Sequence, residues 1–207
     1  VMVVLLLAWL AAGCTSHKPD APASAQNEHS LPDEVTLTPI DPFKGEGAKF
    51  KPFLGPMTGA FILRYEGNKP DVELDLDLWQ HGKKVSASGS IGDLFLHRGE
   101  RDNREVEVIL SVQTAAVPGK DDLNTVKVSV SGDGGSGLYT FTLPSDPKLT
   151  ARGLIQNMNP VTLSMDKPAY VWGMQATSSN SIRTADFSPE SMSGLEWALI
   201  VSLRMNG

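Results

Sequence analysis

Over residues 71–78 acidic and apolar residues alternate without a break: Asp71, Glu73, Asp75 and Asp77 fall on odd positions, Val72, Leu74, Leu76 and Leu78 on even ones. Successive side chains of an extended strand point to opposite faces, whereas a helix groups residues three and four apart. The pattern therefore commits this segment to a half-buried strand. Residues 104–114 repeat it, with Val106, Val108, Leu110 and Val112 on one face and Glu105 and Glu107 on the other. Val126, Val128 and Val130 alternate with Lys127 and Ser129, and Trp197, Leu199, Val201, Leu203 and Met205 share one face of a C-terminal run.

Further strands are expected over residues 60–66, 84–90, 93–97, 138–143, 161–165 and 170–177. Turn-forming clusters at 67–70 (GNKP), 80–83 (QHGK), 118–121 (PGKD) and 132–135 (GDGG) punctuate them. Short strands with such punctuation, and no helical stretches for parallel crossovers, indicate an all-β domain: an antiparallel β-sandwich or a jelly-roll-like fold. One helical turn is expected, with Ser188 capping Pro189 and Glu190 and Gly194 ending it.

The N-terminus is chemically distinct. Residues 1–13, VMVVLLLAWLAAG, carry no charge. Such a run falls short of the roughly 20 residues that span a bilayer as a helix and matches the apolar stretch of a secretory signal peptide. It ends in Leu10-Ala11-Ala12-Gly13-Cys14, which resembles the lipobox of bacterial lipoproteins. The resemblance implies removal of residues 1–13, a thioether-linked diacylglycerol on the Cys14 sulfur, and often a further acyl chain on the new amino group. Each buried methylene contributes about 0.8 kcal/mol, so two or three chains anchor stably where one is marginal. Cys14 is the only cysteine. No internal disulfide can form, and lipidation accounts for a lone thiol outside the cytoplasm.

Residues 14–42 follow as the lipidated cysteine and a tether. Ser, Pro, Ala, Asp and Glu dominate them, and such a composition buries too little apolar surface to order itself. As a coil the tether would average about 30 Å end to end, with a limit near 90 Å. Val35, Leu37 and Ile40 alternate with Thr36 and Thr38, so its last third is expected to add an edge strand. The sandwich itself is assigned to residues 43–207.

For function, a net charge of -6 disfavours nucleic acid as a partner. Residues 132–137, Gly-Asp-Gly-Gly-Ser-Gly, fit G-x-G-x-x-G on paper, but a dinucleotide site needs a helix next, and Leu138-Tyr139-Thr140-Phe141 reads as a strand. A hairpin loop is the better reading. The acidic run at 71–77 lacks the glycine of an EF-hand loop, Leu76 standing in its place. No G-x-S-x-G elbow, H-E-x-x-H helix or Cys-His pair supports hydrolysis. His17 and His29 fall in the tether, and His81 and His97 at a turn and a strand end; all four read as solvated, with no metal and no cofactor implied. Tyr170 and Trp172 share a parity and Trp197 lies on an apolar face, which assigns all three to the core.

What remains is the acidic strand face. Glu73, Asp75 and Asp77 stand about 6.6 to 6.8 Å apart with Trp79 at the end of their row. An exposed indole beside carboxylates could stack on a sugar ring or frame a Ca²⁺ ion; the competing reading is a solvated face with Trp79 folded over the rim of the core. The sequence thus points to a lipid-anchored, extracytoplasmic binding or structural module of the bacterial cell envelope, held to the membrane through Cys14 and partnered by an envelope glycan or protein. The alternatives are an envelope enzyme acting on glycans through paired carboxylates and an accessory subunit that pairs a strand edge with its partner.

Overall fold

The period-two segments become strands because only an extended chain puts all their apolar side chains on one side. The computed structural model describes residues 34–95, 104–115 and 122–206. Among them are eleven strands: β1 (Glu34–Ile40), β2 (Thr58–Glu66), β3 (Asp71–Gln80), β4 (Lys83–Ile91), β5 (Glu105–Ala115), β6 (Leu123–Gly132), β7 (Gly135–Pro144), β8 (Ala151–Gln156), β9 (Val161–Thr162), β10 (Ala169–Thr177) and β11 (Trp197–Asn206). One sheet is ordered β7-β6-β5-β2-β1-β9 and the other β4-β3-β11-β10-β8. All pairings are antiparallel. The fold is an all-β sandwich, and the unit Leu31–Gly207 contains both sheets and the whole core.

The core is the sum of the alternations. Val72, Leu74 and Leu76 of β3, Val106, Val108 and Leu110 of β5, Val126, Val128 and Val130 of β6 and Leu199, Val201 and Leu203 of β11 all meet between the sheets. Trp172 of β10 reaches across to β2, where a Cβ on Gly59 would stand 2.3 Å from its indole nitrogen. Glycine there makes room for the largest core side chain.

A second, smaller cluster lies on the outer face of the five-stranded sheet. Ile155, Met192, Leu195, Ala198 and Ile200 form it, with Trp79, Tyr170, Ala185 and Phe187 packed against them. The connection from β10 to β11 supplies the cover, and it contains the expected helical turn, Pro189–Ser193. The Ser188 hydroxyl accepts the Ser191 amide at 3.3 Å, and Gly194 follows the last helical residue. The β3–β4 hairpin is stitched to this cover. His81 and Gly82 both take positive φ, 49° and 72°, as a two-residue primed turn requires, and their amides donate to the carbonyls of Glu196 and Leu195 at 3.0 and 2.9 Å.

The structure corrects the sequence reading in four places. The sandwich begins earlier than residue 43, because β1 pairs along its length with β2 and, at Thr36 and Leu37, also with β9; Val35 and Leu37 are core residues. β8 is a strand that the alternation did not announce. Of the segment 161–165 only Val161–Thr162 pairs, and no strand covers the described part of 93–97. Finally, Tyr170 pairs with Ser202 but Trp172 with Val201, so a β-bulge at Val171 reverses the parity. Val171 and Trp172 enter the main core, and Tyr170 joins the outer cluster.

Candidate functional site

The acidic row of β3 lies on the outer face of the five-stranded sheet, but its neighbours divide it. On β11, Arg204 stands opposite Glu73, Ser202 opposite Asp75, Ile200 opposite Asp77 and Ala198 opposite Trp79. Arg204 binds Glu73 at 2.6 Å and reaches Asp75 at 3.4 Å. Glu73 also accepts from the Ser90 hydroxyl at 2.6 Å and the Asn206 amide at 3.4 Å. The Ser90 bond first, then Asn206 and the Arg204 charge, hold its carboxyl below the usual glutamate range against the opposing pull of desolvation.

Asp77 and Trp79 have different surroundings. Asp77 is only 4% exposed; Lys84 binds its Oδ2 at 2.8 Å and its Oδ1 has no partner. Trp79 is half-buried, meets Tyr170 edge-on at 5.9 Å, and its Nε1 is buried without a partner. Its ring is packing for the outer cluster rather than an open stacking platform. Glu73, Asp75, Asp77 and Trp79 therefore share a face, as parity requires, without forming one site. Among the described residues no group of three or more His, Cys, Asp or Glu side chains is arranged to hold a metal ion. Cys14, His17, His29 and His97 lie outside the described residues, and His81 occupies the hairpin turn.

An open cleft lies elsewhere among the described residues, at the end of the sandwich where β5 finishes and β8 begins. It measures about 630 Å³ and is lined by Gly55, Pro56, Met57, residues 112–115, Thr150 and Arg152. Arg152 forms its polar wall. The guanidinium leaves β8 and donates to the Thr114 hydroxyl of β5, to the Asn124 amide oxygen of β6 at 3.4 Å and to the Ser145 hydroxyl beyond β7 at 3.1 Å. Asn124 and Ser145 are buried, and Thr114 donates in turn to Asn124 at 2.7 Å. Among the described residues no carboxylate stands within ion-pair distance of Arg152. Neutral oxygens thus orient a full positive charge at the edge of an open cleft, an arrangement suited to an anionic or hydroxyl-rich ligand group.

Sequence reasoning missed Arg152 because it missed β8. Leu154 packs on the main core and Ile155 belongs to the outer cluster, so this strand is covered on both faces and shows no apolar-polar alternation. A lone arginine between Ala151 and Gly153, inside a short apolar stretch, was the available signal.

No protein-family model, curated protein or solved structure matches the chain. Among the described residues no helix is long and apolar enough to cross a membrane.

Proposed function

We propose that this chain is a lipid-anchored, extracytoplasmic module of the bacterial cell envelope that works by binding or as a structural support. The observation that carries the reading is the order of its segments. An uncharged apolar run ends in Gly13-Cys14, a polar stretch follows, and the first strand starts at Glu34, twenty residues beyond the cysteine. Twenty residues reach at most about 70 Å, enough for the sandwich to fold free of the anchor and to take its own orientation to the bilayer. The cleft beside Arg152 supports the binding half of the reading, since about 300 to 1,000 Å³ is the usual size of a ligand pocket. An envelope glycan or an envelope protein with an anionic group is the ligand chemistry that its wall fits.

Cys14→Ser tests the anchor. The variant is expected in the soluble fraction, or in the membrane only as an unprocessed form. Complete partition into detergent at the mature size would overturn the lipoprotein reading.

A further inference from the structure

The connection between β1 and β2, residues 41–57, is a surface excursion whose two helical turns bury none of their residues. A 3-10 turn (Gly45–Phe50) runs into α1 (Lys51–Leu54), and neither contains a buried residue. Residues 43–54 nevertheless hold Phe43, Phe50 and Phe53, three of the chain's seven phenylalanines. Phe50 is 51% exposed and Phe53 75%. The same stretch holds Lys44, Lys49 and Lys51 against one acid, Glu46, a net charge of +2 (three minus one) in a chain of net charge -6.

These rings are displayed by a pinned backbone. The Gly55 amide donates to the Lys51 carbonyl at 2.9 Å, the Thr58 hydroxyl donates to the carbonyls of Leu54 and Gly55 at 3.1 and 2.9 Å, and the Gln113 side chain of β5 donates to the Phe53 carbonyl. Lys49 and Lys51 stand 5.5 and 5.8 Å from the ring centres of Phe50 and Phe43. Glu46 is taken up by Lys49 at 2.8 Å, so it does not cancel Lys44 or Lys51.

Exposed aromatic rings interleaved with lysines suit a lipid headgroup layer, where rings enter the acyl boundary and ammonium groups meet phosphate. We propose that residues 43–54 dock on an anionic lipid surface, Phe50 and Phe53 entering the interface, Lys44 and Lys51 meeting the headgroups, and Lys49 offsetting Glu46 beside them. This contact does not depend on a lipid at Cys14 and gives the sandwich its own affinity for the bilayer.

The test uses the unit Leu31–Gly207, which holds both sheets and lacks Cys14 and the apolar run. Its co-sedimentation is measured with vesicles of phosphatidylcholine alone and of phosphatidylcholine mixed with phosphatidylglycerol. Binding is expected to the anionic vesicles, weakening with added salt. Replacing Phe50 and Phe53 together by alanine should weaken it by about tenfold or more. Replacing Lys44, Lys49 and Lys51 together by glutamine should weaken it by about a hundredfold. Both variants should keep the parent's melting temperature, since none of the five side chains is buried. Absence of binding, or equal binding by the parent and the two variants, overturns the proposal. So does a concentration-dependent dimer, seen by sedimentation equilibrium and lost in the phenylalanine variant, without vesicle binding: a second copy would then cover the rings.

Discussion

At Trp79 a single residue decides between a ligand platform and a packing contact. The indole faces Tyr170 and the cluster of Ile155, Met192, Leu195, Ala198 and Ile200, so its removal empties space under the β10–β11 connection. Trp79→Ala is expected to lower unfolding free energy by about 2 kcal/mol, less than a fully buried tryptophan because part of the ring is already wet. Denaturant unfolding measures it, and a change within error would mean that the ring does not pack as described. Glu73 carries a second expectation. Its carboxyl is held below its ordinary value, so folding stabilises the ionised form. That contribution is complete above the ordinary glutamate range, about pH 4.3, and is lost as pH falls through the lower folded value. Because Glu73 is partly exposed, solvent reduces the effect. The stability difference between the parent and Glu73→Gln should therefore shrink as pH drops below about 4, and a difference that grows with acid would contradict the assignment. The residue scale was only partly legible. Parity placed Glu73, Asp75, Asp77 and Trp79 on one face, but their neighbours on β4 and β11, which pair them off, are set by register.

Among elements, legibility followed the contrast between the two faces of each strand. β3, β5 and β6 have one face in the main core and stand out in the sequence; β11 stands out by its length, with five core residues at every second position from Trp197 to Met205, although Ala198 and Ile200 on its other face join the outer cluster. β8 is covered on both sides and does not stand out, while the bulge at Val171 in β10 defeats a parity count because one extra residue reverses everything beyond it. β1 was visible as an alternation, but not its place between β2 and β9, because its β9 partners lie more than a hundred residues away. The hidden strand matters because Arg152 joins it to the opposite sheet. The guanidinium ties β8 to β5 and β6 and satisfies the buried Asn124 and Ser145. Arg152→Ala is expected to cost about 2 kcal/mol, since hydrogen bonds from a charged donor contribute about 1.5 to 3 kcal/mol. Arg152→Lys should recover less than half, because an ammonium cannot reach three acceptors in a fixed plane. Thermal or urea unfolding of the pair decides it; full rescue by lysine would reduce the clasp to a charge effect.

The whole molecule is wound so that its sheets close late. β11 is the last of the eleven strands, yet it lies at the centre of its sheet, between β3 and β10. Its partner residues on β3 precede it by well over a hundred positions, the Asn206–Asp71 pair being the widest. A chain emerging from the ribosome N-terminus first can form the β3–β4 and β5–β6–β7 hairpins early, because their contacts are local. It cannot complete the five-stranded sheet, or close the core between the sheets, until residues 197–206 have been made. Such long-range pairing is slow and leaves apolar strands uncovered during synthesis. Late closure thus leaves the facing edges of β3 and β10 without their common partner until residues 197–206 have been made, so the middle of the five-stranded sheet is the last part of this fold to be sealed.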